Sequence, residues 1–196
     1  MSVTHNFLTE YKLEGERLTI IKYPDPVLLK KAEPVTEFND DLRTLCKNML
    51  YTMYKAPGFG LAAPQVGKSI RLFVMDTDYE REKVTRADGT EDHNLSNFNP
   101  IVVINPVIKE KDGEQIYEEG CLSVPGVYEE VKRAQHVIIE YYNMWGEVQI
   151  LDAEELKAVC IQHENDHLDG IVFLERLSIL KKKFAKKKYL RDQEQE

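Results

Sequence analysis

Two imidazoles four residues apart, with a carboxylate beside the first, form a metal-binding pattern when they lie on a helix. Residues 160–170, CIQHENDHLDG, carry that pattern in His163, Glu164 and His167. At about 3.6 residues per turn both rings leave the same face. Leu156, Val159 and Cys160 fall on the same stripe, and Ala158, Ile161 and Leu168 cover much of the rest. A helix apolar nearly all round is buried. Burying two rings and a carboxylate without partners is costly, and one cation compensates all three.

Two ring nitrogens do not complete a site. A catalytic metal commonly takes three protein ligands and keeps a position for water. The familiar zinc-protease extension would place a third His at position 173, where this chain has Phe173. Glu175 is near but would have to reach back past the helix end. The stronger candidate is upstream, in EEGCLSVPG (118–126). Cys121 follows Gly120 where a strand gives way to a Pro-Gly turn. Glycine lets the backbone approach closely, and a thiol beside a divalent cation ionises to the ligand form. On residues alone the alternatives are a pair of core histidines and an ordinary half-buried thiol.

The elements that must position these groups are readable in outline. A helix is expected from about Asn39 to Lys55, capped by Asn39 or Asp40, with Leu42, Leu45, Cys46, Met49 and Met53 on one stripe and Pro57-Gly58 stopping it. Cys46 reads as core. Strands are expected at 70–76 and 101–106, a hairpin around Asp112-Gly113 within 107–120, and a hairpin joining 136–143 to 147–151. The polar segment 77–100 reads as a long loop or a solvated hairpin turning at Asp88-Gly89. The metal-bearing helix is expected from Asp152, with Glu155 completing a capping box, to about Leu168, closed by Gly170. A last helix starts near Leu177. Antiparallel strands around a central helix argue an α+β fold rather than a doubly wound sheet.

Three blocks then read together. GFGLAAPQ (58–65), EGCLS (119–123) and QHENDHL (162–168) resemble the three signature motifs of peptide deformylases, in the same order. YPDPVLLKKAEPV (23–35) also resembles that family's N-terminal region, so the likeness covers roughly residues 18–180. It implies antiparallel-rich sheets packed around a central metal-binding helix, with a C-terminal helix. It implies removal of the formyl group from the N-terminal formylmethionine of nascent polypeptides. The family's ligands match Cys121, His163 and His167, and its general base matches Glu164. Its carbonyl-polarising amide matches Gln65, joined by the backbone N–H of Leu122. The resemblance favours Fe(II), whereas the donors themselves also suit Zn or another divalent ion.

The residues suit that chemistry. Gly58-Phe59-Gly60 keeps side chains clear of an extended peptide that could pair like an added strand, and Gly120 does so beside Cys121. Leu156 and Val159, respectively two turns and one turn before His163, are expected to line an apolar hole for methionine, with Cys160 nearby. Glu119 and Asp166 are extra acids placed to orient ligands, and Arg133 is expected to neutralise one of them.

The chain has 196 residues, 42% hydrophobic, with a formal net charge of -8. That suits one globular domain and argues against a surface built throughout for nucleic acid. No apolar run approaches a membrane span, and the N-terminus lacks the pattern of a signal or transit peptide. Three cysteines fit a reducing compartment better than a disulfide framework. A cytoplasmic monomer is the expectation. Residues 1–17 read as a polar extension, 18–180 as one catalytic domain, and 181–196 as a basic then acidic tail. Seven Lys or Arg within 181–191 could dock on ribosomal RNA. Two rival functions are a catalytically silent, metal-binding ribosome-associated protein, which intact Glu164 and Gln65 argue against, and a zinc endoprotease, which Cys121 together with Phe173 argues against.

Overall fold

A computed structural model describes residues 11–86 and 88–193. Its organising element is a five-stranded antiparallel sheet in the order β1-β2-β5-β8-β9, formed by Gly60–Ala62, Leu72–Met75, Ile101–Asp112, His136–Tyr142 and Val148–Glu154. β2 shows why the sheet is covered on both sides. All four of its residues are buried, and alternate side chains point to opposite faces. Leu72 and Val74 join the core under α1 (Asp40–Lys55), whereas Phe73 and Met75 join the core above α2 (Glu155–Leu168).

α1 follows its sequence signals. The Asn39 side chain accepts a hydrogen bond from the Leu42 N–H at 3.0 Å, and Asp40 and Asp41 occupy the positive end of the helix. Leu42, Cys46, Met49, Leu50 and Met53 are buried against the sheet. α2 is buried on nearly every side, as its composition requires. It ends with Gly170 at φ +74, where the Gly170 N–H reaches the His167 carbonyl and the Ile171 N–H reaches the Asp166 carbonyl. A side chain there would collide with the Leu29–Lys30 backbone.

A third core lies beyond α2. It joins Val124, Val127 and Val131 from β7 (Val124–Arg133) to Phe173, Leu174 and Tyr189, the last from α3 (Ile179–Gln193). Among the described residues β7 pairs only with β6 (Gln115–Cys121), and this ribbon delivers Cys121 to the edge of α2. The α+β expectation therefore holds, and the central helix separates two of the three cores.

Two local expectations need correction. The turn at Asp112-Gly113 is present, with Gly113 at φ +64, but it does not join partners of one hairpin. β5 pairs with β8 and β6 with β7, because β7 turns Val124, Val127 and Val131 toward the third core rather than toward the sheet. α2 also starts three residues later than Asp152. Asp152 and Glu154 are still in the ladder, opposite Ile138 and His136, and the Asp152 carboxylate bonds His136 Nε2 at 2.6 Å instead of capping the helix. Glu155 then turns the chain at φ +51, with its N–H on the Gln135 carbonyl.

Segment 77–100 is a hairpin. β3 (Glu80–Thr85) and β4 (Glu91–Ser96) form a mostly exposed two-stranded ribbon whose tip includes Gly89 at φ +83. Its root hangs on Asp76, whose buried carboxylate accepts from the N–H groups of Asp78, Tyr79 and Asn99 and from the Tyr54 hydroxyl at 2.6 Å. Of the N-terminal extension, residues 1–10 lie outside the described residues. Residues 11–17 run along α1, where Tyr11 packs on Tyr54 and the Glu16 N–H bonds Asn48. The end of the expected tail, 194–196, also lies outside them.

Candidate metal centre and cleft

Three donor atoms converge where the ribbon's end meets α2. Cys121 Sγ lies 3.3 Å from His167 Nε2, and ligand atoms of Cys121, His163 and His167 all fall within 4.8 Å of one another. One tetrahedral ion bonded to nitrogen and sulfur would hold its ligand atoms about 3.5 Å apart. The helix supplies the rings at one turn's spacing, and their centroids are 5.1 Å apart. Among the described residues this donor group has three members, which leaves a coordination position for water. Glu175 is not among them, because it pairs with Lys182 and Lys186 on α3. Phe173 stacks against the His163 ring instead of ligating.

A buried ionic network sets the His163 ring. Glu119 accepts the His163 Nδ1–H at 2.8 Å, which leaves Nε2 to face the other donors. Arg133 grips both oxygens of Glu119, at 2.7 and 2.9 Å, and also bonds Asp166 at 2.6 Å. Sequence reasoning placed Arg133 against one acid; it bridges two. It did not foresee Arg176, which holds Asp166 from the other side. Burial alone would raise the Glu119 pKa, but the bonds from Arg133 and His163 outweigh it and hold the carboxyl down at about 2.

Glu164 has the opposite environment. Burial pushes its pKa up to about 7, helped by the charge of Glu119 and opposed by that of His163. Its Oε2 is buried without a hydrogen-bond partner, and so is Nδ1 of His167. An orphaned carboxylate oxygen beside three convergent soft and borderline donors fits a site built for a divalent ion and its water. A carboxyl poised near neutrality can both take up and return a proton.

Gln65 faces this group from the far wall. Its Oε1 accepts from the Ala62 N–H at 2.8 Å, so its amide nitrogen must point the other way. That nitrogen donates to Ser123 Oγ at 3.2 Å and lies 3.6 Å from Cys121 Sγ. Ser123 is fully buried and had no role in the sequence reading, although it closes the EGCLS block.

A cavity of about 330 Å³ opens onto these groups, and Leu122, Leu156, Val159 and Cys160 help to line it. Gly60 sits against Glu164, where an added Cβ would overlap the carboxylate, and a Cβ on Gly120 would lie 2.7 Å from the Tyr128 ring. Phe59, Tyr117 and Tyr128 rim the opening and are partly exposed. Tyr128 pairs across the ribbon from Gly120.

A buried ionisable carboxyl beside an incomplete set of metal donors is what a metal-dependent hydrolase requires. Comparison with known proteins narrows that class. Residues 17–183 match the family model described as polypeptide deformylase. The chain is 47% identical over 163 residues to a peptide deformylase of Acidobacterium capsulatum, covering 83% of this chain and 88% of that one. It is 48% identical over 164 residues to one of Neisseria gonorrhoeae, covering 84% and 89%. Among solved structures, a peptide deformylase from Legionella pneumophila superposes with a TM-score of 0.78 at 39% identity, covering 91% of this chain and 96% of that one. The chain belongs to the polypeptide deformylase family, and the resemblance read from its three blocks is borne out.

Proposed function

We propose that this protein hydrolyses the formamide of N-terminal formylmethionine on nascent polypeptides. The observation that carries the reading is Glu164: a buried carboxylate with an unpartnered oxygen, beside Cys121, His163 and His167 and across from the Gln65 amide. Cys121, His163 and His167 would hold one divalent ion, which supplies a water ionisable near neutral pH and a Lewis acid for the carbonyl. Fe(II) is favoured by the resemblance, and the donor set accepts Zn or a similar ion equally well.

The protein groups divide the remaining work. Glu164 takes the proton of the attacking water and returns it to the departing amine, so formate and a free N-terminus leave together. The carbonyl oxygen gains negative charge as the water adds. The Gln65 amide and the Leu122 N–H donate to it, and one such donor is worth about 10²–10³ in rate. Gly60 and Gly120 let the extended peptide lie close to both walls. Leu156 and Val159 receive the methionine side chain, whose flexible thioether needs only an apolar cavity of suitable size.

The catalytic unit is residues 18–180, working as a cytoplasmic monomer; no helix among the described residues is long and apolar enough to cross a membrane. α3 would meet ribosomal RNA through its lysines. Lys181, Lys182 and Lys186 already pair with acids of this chain, so the phosphate contacts fall mainly to the others and should weaken steeply with salt.

The test uses anaerobically purified, metal-loaded protein on formyl-Met-Ala-Ser. Formate release by the parent and its loss in Glu164→Ala support the reading. A parent without activity points to the silent alternative, and internal cleavage of an unformylated peptide to an endoprotease.

A further inference from the structure

The two candidate carbonyl donors sit on different segments of the chain, and a third segment ties them together. Residues 21–23 run as an extended strap beside both. The Ile21 N–H bonds the Gln65 carbonyl at 2.7 Å, and the Tyr23 N–H bonds the Ser123 carbonyl at 2.9 Å. Between them the Lys22 ammonium donates to the Leu122 carbonyl at 2.6 Å. The strap is itself anchored, because the Tyr189 hydroxyl of α3 bonds the Tyr23 carbonyl and Lys186 lies over the Tyr23 ring.

Two of the three ties are main chain and survive any side-chain change. Lys22 makes the tie that depends on its side chain, and it holds the residue whose N–H is the second candidate donor. A charged donor bonds a carbonyl more strongly than a neutral one. The turn at Cys121–Ser123 needs such a hold. There the register of β6 and β7 shifts, with Gly120 opposite Tyr128 but Cys121 opposite Val124.

We propose that Lys22 is a positioning residue for deformylation: by holding the Leu122 carbonyl it fixes the backbone on both sides of the Leu122 Cα, so that the Leu122 N–H and the Gln65 amide meet one carbonyl oxygen. The inference rests on the deformylase reading. It also implies that the effect is kinetic. Lys22 is exposed, and an exposed charged contact contributes little to global stability.

The test compares Lys22→Met and Lys22→Arg in the metal-loaded full chain. Partial misaiming of one donor should lower kcat of Lys22→Met by about tenfold, short of the loss for a missing donor. KM should stay near the parent value, and Lys22→Arg should recover most of the rate. In ¹⁵N-labelled, zinc-loaded protein, the Leu122 and Ser123 amide resonances and the Gln65 side-chain amide should move in Lys22→Met and return toward the parent positions in Lys22→Arg. Unmoved resonances, or an unchanged kcat, overturn the proposal. A change confined to KM points to substrate contact and overturns it as well, as does a kcat loss that follows a falling melting temperature. An inactive parent would sink the deformylase reading instead, and the resonances would still decide whether Lys22 holds the turn.

Discussion

Replacing Arg133 by methionine would test the ionic network behind the metal centre. The Arg133 side chain is 4% exposed, against 3% for Glu119 and 8% for Asp166. Asp166 would keep Arg176, which bonds both of its oxygens. Glu119 would keep only the His163 ring, and a buried carboxylate would lose its full countercharge. Breaking a buried pair by removing one partner costs about 3–5 kcal/mol. A domain of this size is stable by about 5–15 kcal/mol, so the loss is a large fraction of the total. The Lys109–Glu140 pair makes a useful contrast, since its side chains are 46% and 41% exposed. Lys109→Met should cost less than about 1 kcal/mol. The assay is urea unfolding of parent and variants loaded with the same ion. Because Glu119 orients His163, Arg133→Met should also weaken metal affinity by about 10–100-fold. An unfolding free energy within about 1 kcal/mol of the parent, with unchanged metal affinity, would refute the argument that this network is buried and essential.

Other perturbations read other parts of the site. Ser123→Ala removes the acceptor that steadies the Gln65 amide and should lower kcat by several-fold with KM nearly constant, whereas Gln65→Ala should lose about 10²–10³. Gly60→Ala would drive a methyl into Glu164 and should abolish formate release while leaving the circular dichroism of the fold unchanged. The Cys46 thiol, pushed up to about 12 chiefly by burial, should resist iodoacetamide at pH 8 in the native protein and react on unfolding. Asp152 bonds His136 and raises its pKa, so the charged ring favours the folded state below the ordinary histidine range and that preference fades as pH rises through the raised value. An NMR titration should place the His136 midpoint above that of Asp152→Asn; equal midpoints would remove the pairing.

The parts legible in the sequence were those governed by local spacing. The metal helix announced itself because period and composition agree along Leu156, Val159, Cys160, His163 and His167. Asn39 and Gly170 marked helix ends because their backbone roles depend on few neighbours. The misplaced start of α2 has a different cause. Asp152 and Glu155 have capping-box spacing, but the β8 ladder competes for the same residues and wins. Strand partners are likewise set by distant cores, so the turn at Gly113 looked like a hairpin although β5 and β6 go to different sheets. Cys121 stood out as a candidate at its Gly-Cys turn, and the resemblance of the EGCLS block singled it out from an ordinary half-buried thiol. Ser123, Arg176 and the 21–23 strap were not recoverable, because their partners are far away in the chain and no periodicity reports them.

The exposed ribbon of β3 and β4 has a practical consequence. A single carboxylate, Asp76, gathers the chain where it leaves the sheet and where it returns, and beyond the core contacts of Tyr79, Leu95 and Phe98 none of the described residues from Glu80 to Asn94 is buried. Tight closure at the root makes such a loop an island for grafting. A fluorophore, an epitope or a small inserted module at Asp88-Gly89 should report on the enzyme without disturbing it, and relatives with shorter or longer versions should differ there before they differ anywhere else.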